Sequence, residues 1–295
     1  MTSDGGSGRG GSGPGGRSGG GKRQSGRERA AEARRQAAAA ERRKKQMIIG
    51  GAAVAVVALA VLIGILVQHN TSKSNKAARD AYGAGQPFAA PTGVSANPAS
   101  QADPGGVVYG KPEAKVTVEV DEDVRCPYCK IAETLFGAIN KEYADAGKIK
   151  VQYHIVDLID RGAGGRGSLV GGATLACAAD AGQTQFITFH DLLFKNQPDE
   201  RDDAYGNVDT VLNLAGQVPD LRGATFDACS RDGKYAAWVK ANYDWLSKKL
   251  GGRVGTPDIY IDGTQVVLKD TAAVPAAQQQ ADYRAALDAA VAKRG

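Results

Sequence analysis

Two cysteines separated by two residues, Cys126-Pro127-Tyr128-Cys129, stand directly between a strand-like run and a helix-like run. The preceding segment, Lys115–Asp121, carries Val116, Val118 and Val120 in alternation with polar residues, the period of a half-buried strand. After the cysteines Ile131, Leu135, Phe136, Ile139 and Tyr143 recur at helical spacing, and Ala146-Gly147 marks the stop. A further strand over Lys150–Val156 completes a strand–helix–strand unit, whose strands pair in parallel. A C-x-x-C pair alone is also half of a zinc site, so its context decides its use.

A sulfur at a helix start faces backbone N–H groups with no partner inside the helix. These donors and the helix dipole favour thiolate over thiol, so Cys126 is expected to titrate below the free value near 8.5. Pro127 suits the first helical position, where a missing N–H costs nothing. Cys129, one turn further in, is the expected resolving thiol. Arg125 and Lys130 flank the pair as candidate sources of positive potential, with ordinary solvated side chains as the alternative.

The amino-terminal third has a different character. Residues 1–46 form a basic arm with twelve Lys/Arg against four Asp/Glu. Its first 26 residues are Gly- and Ser-rich and expected to be disordered; Arg27–Gln46 is expected to form a charged helix. Met47–Val67 holds no charge and is apolar or Gly throughout, about 31 Å as a helix, which matches a bilayer's hydrocarbon core. It is longer than a signal-peptide core and ends in Gln68-His69-Asn70, so an uncleaved single-pass anchor is expected. Arg42-Arg43-Lys44-Lys45 abut the run, which places the arm in the cytoplasm and the rest of the chain outside, against anionic lipid on the inner side. The net charge of +5 resides in this arm and marks no nucleic-acid-binding face. Residues 68–105, rich in Ala, Gly, Pro and Ser, are expected to be a flexible linker reaching roughly 33 Å as a coil.

Residues 106–294 then make one domain. Val107-Val108-Tyr109 is a short strand. Arg161–Gly172 is Gly-rich and loop-like, while Ala173–Ala181, Thr184–Asn196, Val208–Gly216 and Lys234–Leu250 look helical, a block inserted over about 160–250. The α/β pattern resumes with Asp258–Ile261, a turn at Asp262-Gly263, a partner strand Gln265–Leu268 and a closing helix Pro275–Arg294.

This order of elements, with Cys-Pro-Tyr-Cys and Val254-Gly255-Thr256-Pro257, resembles the DsbA-like thiol–disulfide oxidoreductases of the thioredoxin superfamily. The likeness spans about residues 104–294 and includes Asp123 to Lys130, Phe189 as a core position, and His190 to Phe194 with Asn196-Gln197-Pro198. It implies an α/β thioredoxin fold with an inserted helical domain, here preceded by a single transmembrane helix. It further implies that Pro257 is cis and lies against the active-site pair and that Thr256 tunes the site. Glu122 or Asp123 is the candidate acid that moves protons near Cys129, with solvated acids at a strand end as the alternative. Pro127 and Tyr128 set the direction of electron flow. Tyr128 departs from the histidine of the best-known oxidising members, and Pro-Tyr also occurs in glutaredoxins, which points to a moderate oxidant.

Cys177 and Cys229 remain. Outside the cytoplasm a leftover pair is expected to be oxidised, and a bridge closing so long a loop contributes about 4 kcal/mol in the chain-entropy model. Two separate buried thiols are the alternative. No second close cysteine pair or His-x-x-x-His exists, so no metal and no cofactor are expected. The expected partners are secreted or cell-surface protein thiols, a membrane redox partner and the lipid bilayer. The rival functions are a reductase or isomerase, and a non-catalytic binding module such as a holdase or metallochaperone.

Overall fold

The computed structural model describes residues 31–44, 73–74, 76–95, 102 and 104–295. The apolar run Met47–Val67 and the Gly/Ser-rich residues 1–26 lie outside the described residues, and among the described ones no helix is long and apolar enough to cross a membrane. The chain divides into two units, Met1–Leu66 and Val67–Gly295. In the first, residues 31–44 form a helix exposed along its length, built from strong helix formers with no apolar stripe to bury.

The second unit is organised on a five-stranded sheet in the order β1-β3-β2-β4-β5. The strands are β1 Val107–Gly110, β2 Val116–Glu122, β3 Ile149–Ile155, β4 Asp258–Ile261 and β5 Thr264–Val266. β2 and β3 are parallel, as expected for the central unit, and the other neighbours are antiparallel. Val116, Val118 and Val120 are buried, together with Ile149, Val151 and Tyr153 opposite them on β3. Between β2 and β3 run Pro127–Ala132 (α1), a π turn over Glu133–Gly137, and Ala138–Asp145 (α2). Leu135, Phe136, Ile139 and Tyr143 of this run are buried, but Ile131 faces solvent beside the cysteines and is no core residue. The carboxy-terminal helix Ala276–Arg294 buries Tyr283, which stacks on Phe136 with ring centroids 4.2 Å apart, and Leu287.

The helical insertion lies between β3 and β4. Its centre is Gly167–Ala179, buried at every position. Much of this stretch had the composition of a loop, and the reason it is a helix is close approach. A Cβ on Gly171 would come within 2.9 Å of a Val124 methyl, and one on Gly172 within 2.8 Å of an Ile155 methyl. Glycine here lets the helix press against the sheet and the segment leading to Cys126. Around it pack Leu158–Gly162, Gln183–Lys195, Val208–Ala215, Ala224–Asp232 and Ala236–Lys249. The helix Ala224–Asp232 has no run of apolar residues in sequence, and only Phe226 and Ser230 are fully buried.

The flexible linker expected over residues 68–105 is ordered where it is described between 76 and 95. Tyr82 is buried and donates its hydroxyl to the Ser230 carbonyl at 2.5 Å. Thr92 donates to Asp180 through both its backbone N–H and its hydroxyl. Phe88, Ala89 and Ala90 lean on the core, and Val94 bridges to Val107 at the sheet edge. A few apolar anchors spaced along a polar, Gly-rich segment suffice to dock it, a pattern that average composition conceals.

Candidate active site

The segment before the cysteines is held from three sides. Asp123 accepts from the Arg125 N–H and the Ile159 N–H, both at 2.8 Å, and its own carbonyl accepts from Cys126 N–H. Arg125 turns inward: its guanidinium meets the Asp160 carboxylate at 2.6 Å and donates to the Gly164 and Glu200 carbonyls. It is therefore a structural tie between the active-site segment and the helical insertion, and no exposed cation beside the sulfur. Gln197 completes the clamp, donating from Nε2 to the carbonyls of Val124 and Cys126. Lys130 reaches toward the Gln197 carbonyl at 3.4 Å.

Cys126 is the N-cap of the helix that starts at Pro127, and its carbonyl accepts from Cys129 and Lys130 N–H. Its Sγ lies 3.3 Å from the carbonyl oxygen of Thr256, and the Thr256–Pro257 bond is cis. The cysteine pair and the loop before β4, 130 positions apart in sequence, therefore face each other.

The two thiols differ in acidity. Cys126 is drawn down to about 6, first by the hydrogen bond from the Cys129 thiol, against the opposing effect of burial, then by Thr256 and the backbone N–H groups of Cys129 and Tyr128. Burial pushes Cys129 well above the usual thiol range, reinforced by Cys126 and by the Glu122 carboxylate. One sulfur is poised as nucleophile and leaving group; the other is kept protonated until needed. Around the mouth Tyr128 is 63% exposed and Ile131 39%, an uncovered apolar margin to the reactive sulfur.

Of the two candidate acids, Asp123 is committed to backbone N–H groups and fixes the loop. Glu122 points to a different neighbourhood. Its Oε1 lies 2.7 Å from His190 Nε2, and the other ring nitrogen of His190 is 3.4 Å from Asp191. Glu133 approaches the same histidine. Burial raises its carboxyl to about 8, with His190 opposing and Glu122 reinforcing the shift. Donor atoms of Glu122, Glu133 and His190 lie within 4.8 Å of one another, close enough to gather a cation, but the histidine and Glu122 already satisfy each other. Neither His190 nor Glu133 was singled out as a site residue from sequence. The available signal was a histidine on the apolar face of Gln183–Lys195, beside Phe186, Phe189, Leu193 and Phe194, and an acid one turn after Cys129.

Cys177 and Cys229 form a disulfide that ties Gly167–Ala179 to Ala224–Asp232, across a sequence separation of 52. It lies within the helical insertion and leaves Cys126 and Cys129 as the free thiols among the described residues.

This arrangement of sheet, helix-borne thiol pair and facing loop defines a class: the chain belongs to the thioredoxin family, whose model matches residues 102–289. Within that family its relatives are disulfide oxidoreductases. Disulfide bond formation protein D of Bacillus subtilis is 28% identical over 175 residues, covering 57% of this chain and 72% of that one. Among solved structures, the reduced disulfide bond oxidoreductase DsbG of Mycobacterium tuberculosis is 26% identical, with a TM-score of 0.47, covering 63% of this chain and 88% of its own. The oxidised BdbD of Bacillus subtilis is 23% identical with a TM-score of 0.49, covering 68% and 99%. The chain is an enzyme of the thiol–disulfide oxidoreductase class.

Proposed function

We propose that this protein is a membrane-anchored oxidase that passes disulfides to secreted or cell-surface proteins through Cys126 and Cys129, with the catalytic domain outside the cytoplasm. The observation that carries the reading is a pair of free thiols at one helix start, Cys126 at the N-cap with its Sγ against the cis Thr256–Pro257 loop and Cys129 buried behind it. This setting draws Cys126 down to about 6 and pushes Cys129 well above the ordinary range. A low-pKa thiolate is a good leaving group, so the disulfide form gives up its bond readily to a substrate thiol. In the oxidising direction a substrate thiolate attacks Cys126 Sγ, the Cys126–Cys129 bond breaks, and Cys129 leaves. A second substrate thiolate then attacks the mixed disulfide, and Cys126 leaves as thiolate with the electron pair. The exposed Tyr128 and Ile131 and the Thr256–Pro257 loop frame the surface on which an unfolded substrate would rest. Met47–Val67 would hold the enzyme to the bilayer, and a membrane redox partner would reoxidise the pair.

Equilibrating the full chain in glutathione buffers and counting free thiols by mass gives the reduction potential. A Cys126 near 6 lies between the active thiols of thioredoxin, about 7, and DsbA, about 3.5, so a potential well inside the interval from about −270 to −120 mV is expected. A value near about −270 mV would instead assign the reducing direction, with an electron donor in place of an oxidant.

A further inference from the structure

Disulfide exchange at this pair creates a proton demand in a place sealed from water. Cys129 is fully buried. It must lose a proton whenever it attacks a mixed disulfide on Cys126, and regain one whenever it leaves. Burial, Cys126 and the Glu122 carboxylate all oppose its ionisation. Glu122 is itself buried, and its Oε2 holds no hydrogen-bond partner among the described residues. Its Oε1, 2.7 Å from His190 Nε2, is the start of a line of groups leading outward. The imidazole is fully buried, and its Nδ1 is 3.4 Å from the Asp191 carboxylate, which is 45% exposed. Asp191 lies on the wall of an open cavity of about 620 Å³, lined also by Lys130, Glu133, Lys141 and Lys195.

We propose that His190 is the proton bridge between Glu122 and Asp191, carrying to and from solvent the proton that Cys129 exchanges at each turnover. The inference rests on the reading that Cys126 and Cys129 exchange disulfides. In the resolving step the Cys129 proton passes to Glu122 as its sulfur attacks Cys126 Sγ. The Cys126–Cys129 bond forms, the bond to the partner sulfur breaks, and the partner leaves as thiolate with the electron pair. As Glu122 is neutralised, the imidazolium of His190 keeps its Nε2–H on Glu122 Oε1 and releases its Nδ1 proton to Asp191, which passes it to water. In the opposite direction the same protons run inward.

The surroundings suit a relay. Burial alone would strip the imidazole of its charge, but the carboxylates of Glu122 and Glu133, with Asp191, hold its pKa well above the usual range. Facing it are Glu122 from β2, Tyr153 from β3 with ring centroids 4.7 Å apart, Glu133 from the π turn, and Asp191 on its own helix. Lys141 reaches Asp191 at 3.5 Å, at the outer end. Phe186 and Phe194 wall the ring.

The test mixes the reduced full chain with excess oxidised glutathione and follows two phases: formation of the Cys126–glutathione adduct, then its resolution by Cys129. His190→Gln keeps a polar contact to Glu122 but cannot pass a proton, and should slow resolution on the order of 100-fold, the usual scale of acid–base assistance. Asp191→Asn changes an exposed group and should slow resolution roughly ten-fold, with recovery as the concentration of a small buffer acid and base rises. Adduct formation and the melting temperature of Asp191→Asn should stay as in the unsubstituted chain. Resolution at the unsubstituted rate in both variants across about pH 5 to 9 would overturn the proposal, as would slowing by Asp191→Asn that no buffer relieves. If no adduct forms on the unsubstituted chain, the exchange reading itself fails, which separates the two outcomes.

Discussion

Cys126→Ser is expected to abolish disulfide exchange, and Cys129→Ser to trap it halfway. A serine hydroxyl at the helix start does not ionise near neutral pH and cannot take part in an S–S bond, so the first variant loses turnover on the order of 10⁴-fold or more. The second variant keeps the activated Cys126, whose thiolate still attacks a substrate disulfide and forms a mixed disulfide as the other substrate sulfur leaves as thiolate. With no resolving thiol behind it, that species accumulates. Non-reducing electrophoresis and intact mass after mixing with a disulfide-bonded model protein would show the covalent adduct for Cys129→Ser and none for Cys126→Ser. Equal turnover in both variants and the unsubstituted chain would favour a binding module that uses the same surface without chemistry.

Arg125→Ala is expected to cost about 3–5 kcal/mol of stability, the range for breaking one side of a buried ion pair. The guanidinium is almost wholly enclosed and meets Asp160, Asp203 and two backbone carbonyls. Its removal leaves those carbonyls without their donor, and Asp160 retains only the Ser168 and Leu169 N–H groups. For a domain near 200 residues this corresponds to a fall in melting temperature of about 10 °C. Arg125→Lys should recover only part of the loss, because an ammonium lacks the planar fork that serves several acceptors at once. The measurement is a thermal melt of each variant; a change below about 1 kcal/mol would show that the clamp contributes little.

Arg125 also illustrates where sequence reading stops. Beside a C-x-x-C pair it looked like a source of positive potential, and nothing local reveals that Asp160, Gly164 and Glu200 wait for it in the helical insertion. The central βαβ unit was legible because its signals are local: alternating valines, two cysteines at a helix start, a proline at the first helical position. The Thr256–Pro257 contact with Cys126 was legible through resemblance alone, since 130 positions separate the partners. Glycines 167, 171 and 172 read as loop because propensity is a property of isolated residues, whereas their role is to admit Val124, Arg125 and Ile155 at close range. His190 was hidden for the same reason: a histidine on an apolar helix face acquires a role only once β2 brings Glu122 to it.

The acidity of Cys126 carries the account, and its rate of alkylation by iodoacetamide as a function of pH measures it directly. In the reduced full chain Cys129 is sealed and the other two cysteines are bridged, so Cys126 should be the residue labelled. Because only the thiolate reacts, the rate should rise with pH through a single midpoint at about 6 and stay level above it. A midpoint at or above about 8.5, the value of an unperturbed thiol, would contradict an activated nucleophile at this helix start.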